Sequence, residues 1–116
     1  MIKPVIYLAS PYSHPDPEVM QLRFHEISLK AAELVKEGYV VLSPITYGHT
    51  LVEHLTMPTD FEFWQSFCIS LLAKCDQMAV YEMVDWEKSR GVLNEIKYAQ
   101  ANNIPIKYIK HEKENV

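Results

Sequence analysis

Val5-Ile6-Tyr7-Leu8-Ala9, followed by Ser10-Pro11-Tyr12-Ser13-His14-Pro15, decides the fold. Five apolar residues without alternation describe a strand buried on both faces, as in a parallel sheet. The stretch behind it, broken by two prolines, suits neither a helix nor an inner strand. Asp16 then caps a helix that has Pro17 at its first position. Val19, Leu22, Ile27, Ala31, Leu34 and Val35 recur at helical spacing, and Gly38 supplies the stop. Tyr39-Val40-Val41-Leu42 is a second apolar run, closed by Ser43-Pro44.

The rest of the chain repeats this alternation. Residues 45–58 read as a loop with a short helix, and Gly48 is placed in that loop. Thr59-Asp60-Phe61-Glu62 fits a capping box, ahead of a helical face built from Phe61, Trp64, Phe67, Cys68, Leu71, Leu72 and Cys75. Gln77 to Tyr81 reads as a third strand, followed by a loop around Asp85-Trp86 and a helix from about Arg90 to Asn102. Ile104 to Ile109 is the last strand, and the polar tail from Lys110 is expected to fray. The chain therefore reads as one α/β domain over residues 1–116, a small doubly wound, flavodoxin- or Rossmann-like parallel sheet. It has about four to five strands and helices on both faces. The usual strand order for so small a unit, 2-1-3-4, puts the switch point between the first and third strands. The segments at 10–14 and 85–95 would face each other across that crevice.

Composition narrows the function. The chain has 116 residues, 48% hydrophobic and 22% charged, and a formal charge of −4. That suits a globular domain and argues against a nucleic-acid duplex as partner. No apolar run approaches a membrane span, and the first strand begins too early to leave room for a signal peptide. With two cysteines, Cys68 and Cys75, a disulfide framework is not expected, and the compartment is read as cytoplasmic. Three glycines, Gly38, Gly48 and Gly91, cannot build a dinucleotide fingerprint or a P-loop. His49 and His54 match no familiar metal spacing. The expectation is no cofactor and no metal.

Ser89-Arg90-Gly91-Val92-Leu93-Asn94-Glu95 marks the chemistry. It follows the apolar run Met78-Ala79-Val80-Tyr81 and opens a helix at the carboxyl end of a strand, where α/β sheets bind ligands. The first turn of such a helix offers N–H groups to an anion, and Gly91 permits close approach. Glu95 lies about one turn further in. A carboxylate beside an anion-binding turn suggests a phosphorylated small molecule. Each residue also has a plainer reading: Glu95 as a solvated helix residue, Ser89 as an N-cap only, Tyr7 as core, and Tyr12, Ser13 and His14 as a turn.

Ile6 to His14, Val40 to Pro44, Trp86 to Gly91, and Glu95 with Ala99 behind it resemble the nucleoside 2-deoxyribosyltransferase-like superfamily. The branch resembled is domain of unknown function 1937, over about residues 5–109. The resemblance implies that Glu95 attacks the anomeric carbon of a (deoxy)ribose and that Tyr7 holds and tunes it. Six residues before the glutamate, transferases of the superfamily carry aspartate and its 5′-monophosphate hydrolases serine; this chain has Ser89. The reading that follows is an N-glycosidase acting on a nucleoside 5′-monophosphate. Ser10, Pro11, Tyr12, Ser13, Asp85, Trp86, Ser89 and Gly91 are its candidate substrate and phosphate contacts. The alternatives are a nucleoside 2-deoxyribosyltransferase and a non-catalytic nucleotide-binding or sensor protein. The resemblance also implies a homodimer or larger homo-oligomer. One departure stands out: Cys68 occupies the position where the family carries an aspartate that serves the leaving base, which would pass that role to an acid such as Asp85 or Glu62. Trp64 is assigned to the core, Trp86 to a pocket wall, Cys68 to an unreactive buried thiol, and Arg23 to the surface or to a phosphate.

Overall fold

The computed structural model describes residues 2–111. β1 (Val5–Ala9), β2 (Val40–Leu42), β3 (Gln77–Glu82) and β4 (Ile106–Lys110) form one sheet in the order β2-β1-β3-β4. Every pairing is parallel, with Tyr7 opposite Leu42 on one side and Met78 on the other. The predicted order and class are those observed.

Side chains alternate across a strand, and here the two faces bury different helices. Tyr7, Ala9, Met78 and Val80 pack against Leu72 of α3 (Phe61–Leu72) and against Val92 and Ala99 of α4 (Arg90–Ala101). Ile6, Leu8, Ala79 and Tyr81 pack against Ile27 and Leu34 of α1 (Pro17–Lys36), with Ile45 of α2 (Pro44–His54) beside them. The chain therefore winds to opposite faces from the central pair β1 and β3, which opens a crevice at their carboxyl ends.

Local signals explain the element ends. The Asp16 side chain accepts from the Glu18 N–H at the start of α1. At its end Gly38, at φ +101, lets the Gly38 and Tyr39 N–H groups close back on the Val35 and Leu34 carbonyls. Asn103, at φ 58, plays the same part after α4. Asp76 pins the start of β1, its carboxylate accepting from the Val5 N–H at 2.8 Å.

Several expectations are corrected. Residues 44–54 form a full helix, because Ser43-Pro44 is a helix start as well as a strand end: Ser43 Oγ accepts from the Thr46 N–H, and Pro44 needs no donor. Gly48 is therefore helical and buried, with the Trp64 ring 3.5 Å from where a Cβ would stand. The capping box at 59–62 does not form; Asp60 is the N-cap without a side-chain bond, and Glu62 turns to Arg90 instead. Leu22 and Val35 remain more than half exposed, so the buried stripe of α1 is narrower than its apolar periodicity. Ile104 closes the α4 cap rather than opening the last strand, its N–H donating to the Ala99 carbonyl. Lys110 belongs to β4, and His111 bonds to Glu26 at 3.0 Å, so the frayed tail does not begin at 110. The remainder of that tail, 112–116, lies outside the described residues. Among the described residues no helix is long and apolar enough to cross a membrane.

Candidate active site

A cavity of about 470 Å³ opens at the carboxyl ends of β1 and β3. The segment after β1 contributes Ser10 to His14, and the segment after β3 contributes Asp85 and Lys88 to Gly91. α2 adds Pro44, Gly48, His49 and Val52; α3 adds Phe61, Trp64 and Cys68; α4 adds Asn94 and Glu95. The two segments predicted to face each other do meet there.

Glu95 is a buried carboxyl in the lining of this cavity. It is 8% exposed, which disposes of the reading as a solvated helix residue. Burial pushes its carboxyl up from 4.5 to about 7, against the opposing pull of the Tyr7 hydroxyl. Tyr7 Oη donates to Glu95 Oε2 at 2.6 Å. Tyr7 is fully buried behind Glu95 and does not line the cavity, so it is a positioning group. Burial, then the charge of Glu95, keeps its phenol protonated well above the usual range. A carboxyl near neutrality, with one oxygen clamped, suits nucleophilic or acid–base work.

The first turn of α4 supplies anion-binding geometry. Ser89 is the N-cap, its Oγ accepting from the Val92 N–H at 3.2 Å. The Arg90 and Gly91 amides precede the first intrahelical hydrogen bond and stand at the positive end of the helix. A Cβ at Gly91 would meet only Ser89 Oγ, at 3.8 Å, so the backbone there is open. Arg23, Lys88 and Arg90 also line the cavity. Arg23 donates to the Tyr12 and Ser13 carbonyls at 3.3 and 3.1 Å, tying α1 to the β1 segment. Arg90 bonds Glu62 at 2.8 Å and covers the Phe61 ring.

Ser10 adds an unpaired hydroxyl to the lining. It is 6% exposed, and its Oγ is the one buried side-chain oxygen or nitrogen among the described residues with no hydrogen-bond partner. Such a group costs about 1–3 kcal/mol, and a ligand in the cavity that Ser10 lines would satisfy it.

Of the predicted residues, Ser10, Pro11, Tyr12, Ser13, Asp85, Ser89, Gly91 and Glu95 come together at the cavity, with Tyr7 behind them. Trp86 does not: its ring leans on Tyr108, at 5.7 Å between centroids, and packs against the core. Trp64, assigned to the core, lines the cavity instead. Asp85 is held at φ 69 and pairs loosely with Lys88 at 4.0 Å. Cys68 faces the cavity rather than sitting sealed in the core. Its thiol is pushed up to about 12 by burial and by Glu95, which makes it a poor acid. Glu62 is exposed and held below the usual carboxylate range by its own backbone N–H and by Arg90, so it keeps no proton to donate near neutrality. His49 and Asn94 were not anticipated as cavity residues; Asn94 was legible from its place one residue before Glu95. No cluster of metal-binding side chains occurs among the described residues.

The family model described as domain of unknown function DUF1937 matches residues 4–111. No curated protein matches the chain.

Proposed function

The chain belongs to the DUF1937 family, and we propose that it cleaves the N-glycosidic bond of a nucleoside 5′-monophosphate with Glu95 as nucleophile. The observation that carries this reading is Glu95 itself. It is a buried carboxyl, clamped by Tyr7 at 2.6 Å, opening on a cavity whose rim is the N-terminus of its own helix.

In this reading Ser89 and the Arg90 and Gly91 amides take the phosphate, with Ser10 as a further donor, while the Ser13 hydroxyl donates to the Thr59 carbonyl at 2.7 Å and shapes the rim. Binding there sets the sugar over Glu95, one turn into α4. The free Oε of Glu95 attacks C1′ while Tyr7 holds the other oxygen. The C1′–N bond breaks through an oxocarbenium-like transition state, and a glycosyl ester forms. Water then cleaves the ester and restores the carboxylate. Trp64 and Phe61 offer flat apolar surface to the base.

The reading takes a small-molecule nucleotide as partner, a homo-oligomer as the working form and the cytoplasm as compartment. Exposed Tyr47, Leu55 and Phe63 on and beside α2 and α3 support assembly. The test is a chromatographic assay for free base across nucleosides and their 5′-monophosphates. Base release from monophosphates alone, without an acceptor base, supports the hydrolase. Release only when an acceptor is present makes the protein a transferase. Ligand-induced thermal stabilisation with no release makes it a binder.

A further inference from the structure

The N-glycosidase reading requires a proton for the departing base, and neither neighbour of Glu95 supplies one. The Tyr7 hydroxyl is engaged with Glu95, and Cys68 is a weak acid. A hydroxyl with a proton supply of its own lies on the α2 side of the cavity; burial, then the charge of Glu53, holds the Tyr12 phenol above its usual range, so it can release its proton only as another arrives. Tyr12 Oη and His49 Nδ1, both on cavity-lining residues, are 2.7 Å apart. The other ring nitrogen, Nε2, is 3.1 Å from Gln21 Oε1 and 3.5 Å from Glu53 Oε2. Both of those oxygens are acceptors, so Nε2 keeps its hydrogen in either charge state. Nδ1 is thus the nitrogen that gains and loses a proton, and the Tyr12 hydroxyl is its partner. The ring is held by stacking on Phe24, with centroids 4.0 Å apart, and its side chain is only 10% exposed. The groups facing it are Tyr12 from the β1 segment, Gln21 and Phe24 from α1, and Glu53 from its own helix.

Resting on the N-glycosidase reading, we propose that Tyr12 is the general acid for the departing base and that His49, steadied by Glu53 and Gln21, resupplies its proton. As the Glu95 carboxylate bonds to C1′ and the C1′–N bond breaks, the Tyr12 proton passes to the base nitrogen. The His49 Nδ1 proton passes to the Tyr12 oxygen, leaving neutral imidazole. In the second step a water oxygen bonds to C1′ and the ester C1′–O bond breaks, returning Glu95 as carboxylate. The water proton passes to Tyr12 as the Tyr12 proton returns to Nδ1. Tyr12 is the catalytic residue of this pair, and His49 and Glu53 are positioning residues.

The test compares leaving groups. Values of kcat/KM are measured for neutral nucleoside 5′-monophosphates and for nicotinamide mononucleotide, whose pyridinium departs neutral without a proton. Tyr12→Phe and His49→Gln are expected to lose about 100-fold or more on the neutral substrates and to stay within about threefold of wild type on the pyridinium. The alkaline fall of kcat/KM in wild type is expected to vanish in His49→Gln. Glu53→Gln, altering a side chain that is 55% exposed, gives the same pattern more weakly and carries the test if His49→Gln misfolds. Equal losses on both substrate types, no loss on either, or an unchanged alkaline limb would overturn the relay and leave the N-glycosidase reading standing. No base release from any substrate by wild type overturns both.

Discussion

The Tyr7 hydroxyl and the Glu95 carboxylate, 88 residues apart in sequence, meet in a 2.6 Å hydrogen bond at the base of the cavity. That contact joins the central strand β1 to α4, the helix that starts after Ser89. It also opposes the effect of burial on Glu95. Tyr7→Phe keeps the packing and removes the donor. The ascending limb of the pH–rate profile, set by ionisation of Glu95 near 7, is expected to move to higher pH. Folding stability is expected to drop by about 1–2 kcal/mol. A pH profile with chemical denaturation checks both, and an unmoved limb counts against the tuning role.

Glu95 also makes stability depend on pH. Its carboxyl titrates at 4.5 ordinarily and at about 7 when folded, so between those values the native chain holds the additional proton. The resulting stability is present in full below the lower value and is lost as pH rises through the upper one. The difference is of order 3 kcal/mol. Glu95→Gln lacks this titration, so its stability relative to wild type is expected to improve by that order between pH 4.5 and pH 8. Urea denaturation at several pH values measures it; parallel curves for the two proteins would contradict the burial argument.

The helix-start reading separates phosphate binding from folding. Ser89→Ala loses an N-cap, at about 1 kcal/mol, and is expected to raise KM for monophosphates more than for nucleosides. Gly91→Ala meets only Ser89 Oγ at 3.8 Å and gains up to about 1 kcal/mol of helix propensity. It is expected to fold as well as wild type or better, yet to bind monophosphates less tightly. Paired KM and Tm measurements decide it. A Gly91→Ala enzyme with unchanged KM places the phosphate elsewhere.

Cys68 is expected to resist alkylation. Raising its thiol from 9.0 to about 12 lowers the thiolate fraction at pH 8, and with it the labelling rate, by roughly 10³-fold. Peptide mass spectrometry after iodoacetamide treatment reads this directly. Rapid stoichiometric labelling would mean that Glu95 and burial do not govern the thiol.

How much of this was legible in the sequence follows from what each signal encodes. Uninterrupted runs such as Val5–Ala9 and Met78–Tyr81 report burial on both faces, and burial on both faces implies a parallel sheet and its order. The site residues next to strand ends were legible for the same reason. α2 was not, because Ser43-Pro44 serves two elements and Gly48 masks the helix that follows. The tryptophans exchanged places because helical periodicity gives a face but not its neighbour. Trp64 turns toward α2 at Gly48, whereas Trp86 folds back onto Tyr108. His49 acquires its partners, Tyr12, Gln21 and Phe24, from elements at least 25 residues away, and no local pattern reports that.

The central claim is that Glu95 attacks the sugar, and the most direct measurement is free-base release by wild type and Glu95→Gln side by side, on the same 5′-monophosphates. The account predicts release by wild type and a loss of at least about 10³-fold in the variant, with the variant folded and still binding the nucleotide. Equal release by the two proteins would contradict it.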